Sequence, residues 1–497
     1  MRAPIPSHGF APMNPFRTGD LALAVVLVAV VLAGCASRPV NPPIARIDYN
    51  EGYRIENRPA RPTDDATVIV LAFSGGGTRA AAFSYGVLEE LNRIEVDLPG
   101  GVRSRLIDQV DVITGVSGGS FTALAYGLYG DKLFGQYEQR FLKRDVQGEL
   151  LARALSPLNW PSLSSDGFGR SEMAAQLYDE ILFEGATFGD LAKRPGPFVL
   201  VTATDISTGS RLGFVQTDFD LICSDLDRVP LSRAAAASSA VPLVLSPVTL
   251  DNYGGRCGHK YASWTREISD PSSPARPAGR AVQRYHEMLM FEDSANRPYL
   301  HLVDGGVSDN LGMRAVLETL ESAEARRGRL RYLAGVRRVV VIVVNSLSQP
   351  VTDWDKRERP PGDIAILIKA AGVPIDRYSY EAVELLKDLI ARWQTARAIR
   401  ASSGFAGGSN ALLARAADVP DIDVYPVDVS FAADPDAAER AYLNDLPTSF
   451  VLPPEAVDRL RAAAGRILWS SPEFQKLMTT MGASVIVPPK PAPAAPK

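Results

Sequence analysis

An α/β fold built on a mostly parallel sheet is what this 497-residue chain predicts, and three stretches carry that expectation. Each is a short apolar run that empties into glycines. Val68–Phe73 runs into Ser74-Gly75-Gly76-Gly77, Val110–Thr114 into Gly115-Val116-Ser117-Gly118-Gly119, and Tyr299–Val303 into Asp304-Gly305-Gly306. Short apolar runs bounded by turn signals suit strands covered on both faces. In open sheets of this kind the strand ends form the crevice where chemistry happens. A glycine loop, a serine and an aspartate are therefore expected to converge on one edge.

The first run is followed by Ala80, Phe83, Val87 and Leu91 at one-face spacing, which predicts a helix directly after the glycines. Three successive glycines expose backbone N–H groups, and a helix start adds positive potential, so this loop suits an anion held against the main chain. A nucleotide phosphate fits poorly. The Walker pattern needs a lysine after its last glycine and the dinucleotide fingerprint needs G-x-G-x-x-G spacing, and neither occurs here. An oxyanion is the other such anion.

The second run places Ser117 where a strand turns sharply into a helix, which is how a chain exposes a nucleophile. Gly115 and Gly119 flank it because a side chain there would meet strand or helix. The pattern alone is weak evidence; the loops around it give it weight. The third run ends in Asp304, a carboxylate released by two glycines. A serine hydroxyl is a poor nucleophile until a neighbouring base takes its proton, and a carboxylate at hydrogen-bond distance can do so.

A Ser-His-Asp triad is the competing arrangement. The chain has four histidines. His8 precedes the export segment, and His301 lies three positions from Asp304 on one strand, where alternation points the two side chains apart. His259 and His286 fall in the irregular stretch 251–298, from which either could reach the site. Among the acids, Asp309 is expected to cap the helix that follows it, Asp205 to organise a turn at a strand end, and Asp111 to be structural.

Four blocks, in this order, resemble the patatin-like phospholipase family: Ser74-Gly75-Gly76-Gly77-Thr78-Arg79; Gly115-Val116-Ser117-Gly118-Gly119; Ala237-Ser238-Ser239-Ala240-Val241-Pro242 with Pro247; and Asp304-Gly305-Gly306. The resemblance covers roughly residues 64–345. It implies a three-layer α/β sandwich, with Ser117 as nucleophile and Asp304 as its general base in a dyad without histidine. It also implies an oxyanion hole from Gly75, Gly76 and Gly77 with Arg79 in the family's basic position, no cofactor or metal, and a membrane phospholipid or lysophospholipid as substrate. One departure stands out: many members have glycine after the basic residue, and this chain has Ala80.

At the amino terminus, Arg2 and Arg17 precede an apolar run from Leu21 to Gly34 that ends at Cys35. Fourteen residues are too few to span a bilayer, which needs about 20, so residues 1–34 read as a signal peptide. Leu32-Ala33-Gly34-Cys35 resembles the bacterial lipobox, which implies lipidation of Cys35; Ala36 rather than aspartate after it implies sorting to the outer membrane, facing the periplasm. Cys223 and Cys257 remain, an even pair in a chain bound for an oxidising compartment, and are expected to form a disulfide. Two cysteines without Cys-x-x-Cys or paired-histidine spacing cannot fill a tetrahedral metal site.

Composition excludes other classes. With 53 Lys and Arg against 57 Asp and Glu the net charge is −4, and loss of Arg2, Arg17 and Asp20 with the leader makes it −5. Nucleic acid is an unsuited partner, since phosphate backbones need a basic footprint. Residues 35–63, with five prolines, read as a tether; 64–345 as the catalytic domain, with 251–298 an insert or lid; and 346–487 as a mainly helical extension packed on the core. In that extension Val383, Leu386, Ile390 and Trp393 mark a helix face, Val424–Val429 a strand, and Pro454–Leu468 a late helix. Residues 488–497 alternate Pro, Ala and Lys and are expected to be a disordered tail.

Overall fold

The computed structural model describes residues 38–486 apart from 62, 164, 166–167, 243, 262–264, 266–278, 326–334, 351 and 402–418. The leader, Cys35 and the 488–497 tail lie outside the described residues. The main sheet has the order β10-β9-β1-β4-β5-β8-β7. Its strands are β1 (Thr67–Phe73), β4 (Val110–Gly115), β5 (Phe198–Asp205), β7 (Val248–Asp251), β8 (Tyr299–Asp304), β9 (Arg338–Asn345) and β10 (Asp423–Ser430). A short strand β6 (Ser210–Gly213) pairs with β5, and β2 (Ile94–Leu98), β3 (Val102–Arg105) and β11 (Ser484–Val485) form a separate antiparallel sheet.

From β10 through β5 the pairing is parallel, whereas β8 runs antiparallel to both β5 and β7. Asp304 thus reaches the site on a strand that comes down from beyond the carboxyl edge rather than up to it. The registers decide where the three loops meet. Phe73 lies opposite Gly115, Gly115 opposite Val201, and Ala203 opposite Asp304. The turns after β1 and β4 leave side by side, and Asp304 stops within two residues of the same level.

The sheet is covered on both faces, and β1 shows how. Ile69, Leu71 and Phe73 point into one hydrophobic cluster, while Val70 and Ala72 point into another, as strand alternation requires. The first cluster is closed by α1 (Gly77–Leu91), α2 (Gly118–Tyr129), α5 (Leu231–Ser238) and α9 (Pro454–Ser470); α3 (Val146–Leu155) and α4 (Arg170–Tyr178) pack outside them. The second is closed by α7 (Arg314–Ala325) and by the carboxy-terminal half of the 39-residue helix α8 (Asp363–Ala401), whose Val383, Leu386, Ile390 and Trp393 are buried as their spacing predicts. Helix α1 differs from the one-face expectation: all but two of its fifteen residues are buried, because α2 and α9 enclose it.

Two domain expectations change. Residues 38–61 are no loose tether. Arg38 pairs with Asp251 at 2.6 Å, the Ile44 N–H donates to the Cys223 carbonyl, and Asn41, Ile47, Tyr53 and Arg54 are buried. Prolines kept this strap irregular, but its apolar and amide side chains find partners on the domain. The extension does more than pack on the core, since β10 continues the sheet in register with β9 from Asp423↔Arg338 to Ser430↔Asn345. The 251–298 stretch joins β7 to β8 as an insert, and its described parts are fastened to the domain: α6 (Gly279–Glu292) buries Phe291 and bonds Asp218 through Arg284 at 2.6 Å.

Candidate active site

Strand β4 ends at Gly115 and α2 begins at Gly118, so Val116 and Ser117 make the whole turn. Ser117 sits at φ 48°, ψ −120°, a conformation L-residues rarely adopt and that persists only where surroundings impose it. Those surroundings are identifiable. The Val116 N–H donates to the Phe73 carbonyl at 3.1 Å, and the Ser117 N–H to Ser238 Oγ at 2.8 Å. A Cβ on Gly118 would stand 2.0 Å from the Gly77 carbonyl oxygen, and one on Gly119 2.6 Å from that of Ser74. Elbow and glycine loop are thus in backbone contact, which only glycines permit.

The Ser117 hydroxyl donates to Asp304 Oδ2 at 2.8 Å. The other carboxylate oxygen, Oδ1, accepts the Gly306 N–H at 2.7 Å, which fixes the carboxylate plane. The Asp304 and Gly305 N–H groups donate to the carbonyls of Ala240 and Ser238, and Thr204 Oγ1 donates to the Asp304 carbonyl at 3.0 Å. The Ala237–Pro242 block thereby touches both members of the pair: Ser238 holds the Ser117 backbone by its side chain and the Asp304 loop by its carbonyl. Asp304 is 8% exposed. Burial pushes its pKa up to about 6, against the lowering effect of the Gly306 and Ser117 donors. A carboxylate of that basicity is ionised at neutral pH yet can hold a proton in passing.

The three glycines do not play equal parts. The Gly75 N–H is already committed to the Asn310 carbonyl at 2.9 Å, so it is not an open donor. Ser74 and Thr78 N–H groups are likewise engaged, with Val344 and Ser449 carbonyls. Gly76 and Gly77 N–H have no acceptor among the described residues, and both residues have positive φ, 142° and 60°. The expected three-glycine donor set contracts to two.

Arg79 also departs from expectation. It is buried, and its guanidinium turns away from Ser117 to bond the Ser346 carbonyl at 2.8 Å, the Leu446 carbonyl at 2.7 Å and Thr448 Oγ1 at 3.0 Å. Burial lowers its pKa to about 10, which leaves it charged. Its place is to clamp the carboxy-terminal part onto the glycine loop, where the Thr78 N–H meets the Ser449 carbonyl at 2.8 Å. Ala80, the family departure, is fully buried in α1.

No histidine among the described residues bonds Ser117 or Asp304. His259 pairs with Glu292 at 2.6 Å, His301 meets Thr249 Oγ1 at 3.0 Å, and His286 packs edge-on to Tyr285. Asp309 accepts the Met313 and Arg314 N–H groups and so caps α7; Asp205 holds Thr208 and Arg297; Asp111 accepts the Ile69 N–H at the irregularity in β1. Cys223 and Cys257 are bonded, with Cα atoms 5.6 Å apart. Among the described residues there is no cluster of three or more His, Cys, Asp and Glu able to hold a metal. Ser238, Asn310, Thr204 and Ser449 are the positions sequence reasoning left without a role. Ser238 lies inside the Ala237–Pro242 block and Asn310 beside Asp309; nothing in the sequence marks Ser449.

A family model described as patatin-like phospholipase matches residues 71–317. Over 195 residues the chain is 30% identical to a cGAMP-activated phospholipase of Vibrio cholerae serotype O1, and over 190 residues 28% identical to a protein of the same description from Escherichia coli. Those alignments take in 37% of this chain and 52% and 49% of the two proteins, so the chain spans about half the length of the curated relatives it matches. Among solved structures, human GIVD cytosolic phospholipase A2 aligns over 94% of this chain and 67% of its own at 14% identity, with a TM-score of 0.42. VipD from Legionella pneumophila aligns over 88% and 72% at 12% identity, with a TM-score of 0.27, and both likenesses are too slight to reason from. With four sequence blocks brought to one sheet edge and the matched span enclosing all four, residues 71–317 of the chain are a patatin-like phospholipase domain.

Proposed function

We propose that the chain is a serine lipid acyl hydrolase of phospholipase A or lysophospholipase type, cleaving carboxylic esters of membrane lipids through a Ser117–Asp304 dyad. The observation that carries this reading is the 2.8 Å bond from the Ser117 hydroxyl to Asp304 at a strained elbow. Asp304 takes the hydroxyl proton as Ser117 Oγ attacks the ester carbonyl carbon. The oxyanion so formed faces the unoccupied Gly76 and Gly77 N–H groups. Collapse breaks the ester bond, and the proton on Asp304 passes to the departing alkoxide. Asp304, ionised again, takes a proton from water as it attacks the acyl-enzyme; the proton returns to Ser117 and the fatty acid leaves.

The reading includes anchoring in the cell envelope, at the outer membrane facing the periplasm, through a lipid on Cys35. With Arg38 fastened to Asp251, three residues allow at most about 11 Å between that anchor and the domain. The test is product analysis of purified protein on phosphatidylcholine, lysophosphatidylcholine and a short-chain ester, with Ser117→Ala alongside. Release of free fatty acid from the lipids, lost in the variant, supports the reading. Turnover of the short-chain ester alone would leave a general esterase. For the anchor, Cys35→Ser should abolish incorporation of labelled fatty acid; persisting label refutes it.

A further inference from the structure

We propose that two exposed apolar elements beside the nucleophile, the segment 151–160 and the amino-terminal half of α8, form a surface that docks on the face of a neutral lipid bilayer. The inference rests on the lipid hydrolase reading for its direction, since it names where that enzyme would meet its substrate.

The first element begins in α3. Leu151, Leu155, Leu158 and Trp160 are 56%, 72%, 88% and 56% exposed, a cluster of large apolar side chains that soluble surfaces rarely carry together. The one charge within 151–160, Arg153, is turned onto Glu180. The second element is residues 363–380, where Ile366, Leu367, Tyr378 and Tyr380 are all exposed. Beyond residue 380 the same helix is buried by its Val383 face, so one helix changes from a water- or lipid-facing half to a core-facing half.

Both elements are tied to the loops of the site. The Gln147 N–H in α3 donates to the Phe450 carbonyl, and Phe450 follows Ser449, which bonds the residue after Gly77. Asn310, whose carbonyl holds the Gly75 N–H, reaches Ser379 in α8 at 3.4 Å. From that contact α8 continues toward its amino end through residues 363–378, a projection of about 24 Å at helical rise. Strand β9 ends at the carboxyl edge and α8 packs downward from Ser379, so the projecting half lies on the same edge as Ser117.

Composition selects the occupant. No helix among the described residues is long and apolar enough to cross a membrane, and Lys369 and Pro374 interrupt this one, so it lies on a bilayer rather than through it. Trp160, Tyr378 and Tyr380 are the amphipathic rings favoured at a lipid headgroup boundary. The net charge is negative and neither element is basic, which points to apolar insertion into a neutral surface rather than attraction to anionic lipid.

The test places an environment-sensitive dye on single cysteines in the full chain carrying Cys35→Ser and Ser117→Ala, at Leu158→Cys, at Leu367→Cys and, as control, at the exposed Val102→Cys on β3, in the separate antiparallel sheet that leads into the amino end of β4. With phosphatidylcholine vesicles the dyes at 158 and 367 should shift to the blue and be quenched by brominated acyl chains, unaltered by salt, while the dye at 102 does neither. No shift at 158 and 367, or an equal shift at 102, overturns the proposal. A shift that appears with protein concentration in the absence of vesicles also overturns it, in favour of a second copy of the chain. In the Ser117 protein, Leu155→Glu with Leu158→Glu, or Ile366→Glu with Leu367→Glu, should lower the ratio of vesicle to soluble-ester hydrolysis at least about tenfold; an unchanged ratio counts against docking. The dye measurement needs no catalysis, so silence on every ester with the dye shifts intact would sink the hydrolase reading and leave the surface standing.

Discussion

The strand ends that carry Ser117 and Asp304 and the carboxy-terminal segment around Thr448 and Ser449 lie against the same glycine loop, yet only the first can be recognised from the chain. At Ser117, Gly76 and Gly118 the backbone is forced into positive φ or into contact with another backbone, so residue types are dictated and a motif appears. At Ser449 the loop is held by a carbonyl oxygen, which every residue has, and no motif appears. The difference teaches that motifs mark where a backbone must be unusual. Groups that merely hold it there go unmarked.

The sharpest way to break this comparison is to remove the dyad. Ser117→Ala and Asp304→Asn should each lower ester hydrolysis at least about 10³-fold with the fold intact, since the proposed dyad makes them one proton-transfer unit. A comparable loss in His259→Ala with a mild Asp304→Asn would favour a triad. Next comes Gly76→Val. At φ 142° a Cβ would stand 2.8 Å from Ser346 Oγ, so the open donors are displaced and turnover should fall about 10²- to 10³-fold, as for a lost oxyanion donor. Wild-type turnover there would remove the oxyanion assignment.

The unmarked side is probed by Arg79. Arg79→Met leaves the Ser346 and Leu446 carbonyls without their donor and loosens the loop without touching Ser117. A kcat loss of about 10- to 100-fold with KM nearly unchanged is expected, the scale of a misplaced reacting group, with partial recovery in Arg79→Lys. A change confined to KM would mean that Arg79 contacts substrate instead.

A subtler effect follows from the buried carboxylate. In the proposed mechanism Asp304 acts ionised, and its pKa is raised to about 6, so kcat/KM should climb with pH through about 6 and then level. The same shift bears on stability. The folded state holds this proton more tightly than the unfolded state, so the stabilising contribution is complete below the unfolded pKa near 4 and is lost as pH rises through 6, about 3 kcal/mol in all. Asp304→Asn should therefore melt as high as the wild type or higher above pH 6, with the difference fading below pH 4. Melting curves at pH 4 and pH 8 check it, and an Asn variant that is less stable only at pH 8 contradicts it.

Legibility followed the same line. Strands β1, β4, β8 and β10 were readable from apolar runs, and the buried face of α8 from its spacing, because burial leaves a periodic trace. The docking of residues 38–61 was not, since its prolines suggested a spacer while Asn41 and Tyr53 found partners more than a hundred residues away. Nor was the direction of β8: an apolar run does not say which way its strand points in a sheet. The unequal roles of Gly75, Gly76 and Gly77 depend on Asn310 and Ser449, which only the fold brings near.

The most direct test of the dyad is covalent capture of the nucleophile. An alkyl fluorophosphonate should modify the chain at one residue, Ser117, as read by peptide mass, with the rate rising through about pH 6 and labelling absent in Ser117→Ala and strongly slowed in Asp304→Asn. Modification at another residue, or labelling of Asp304→Asn at the wild-type rate, would contradict the account.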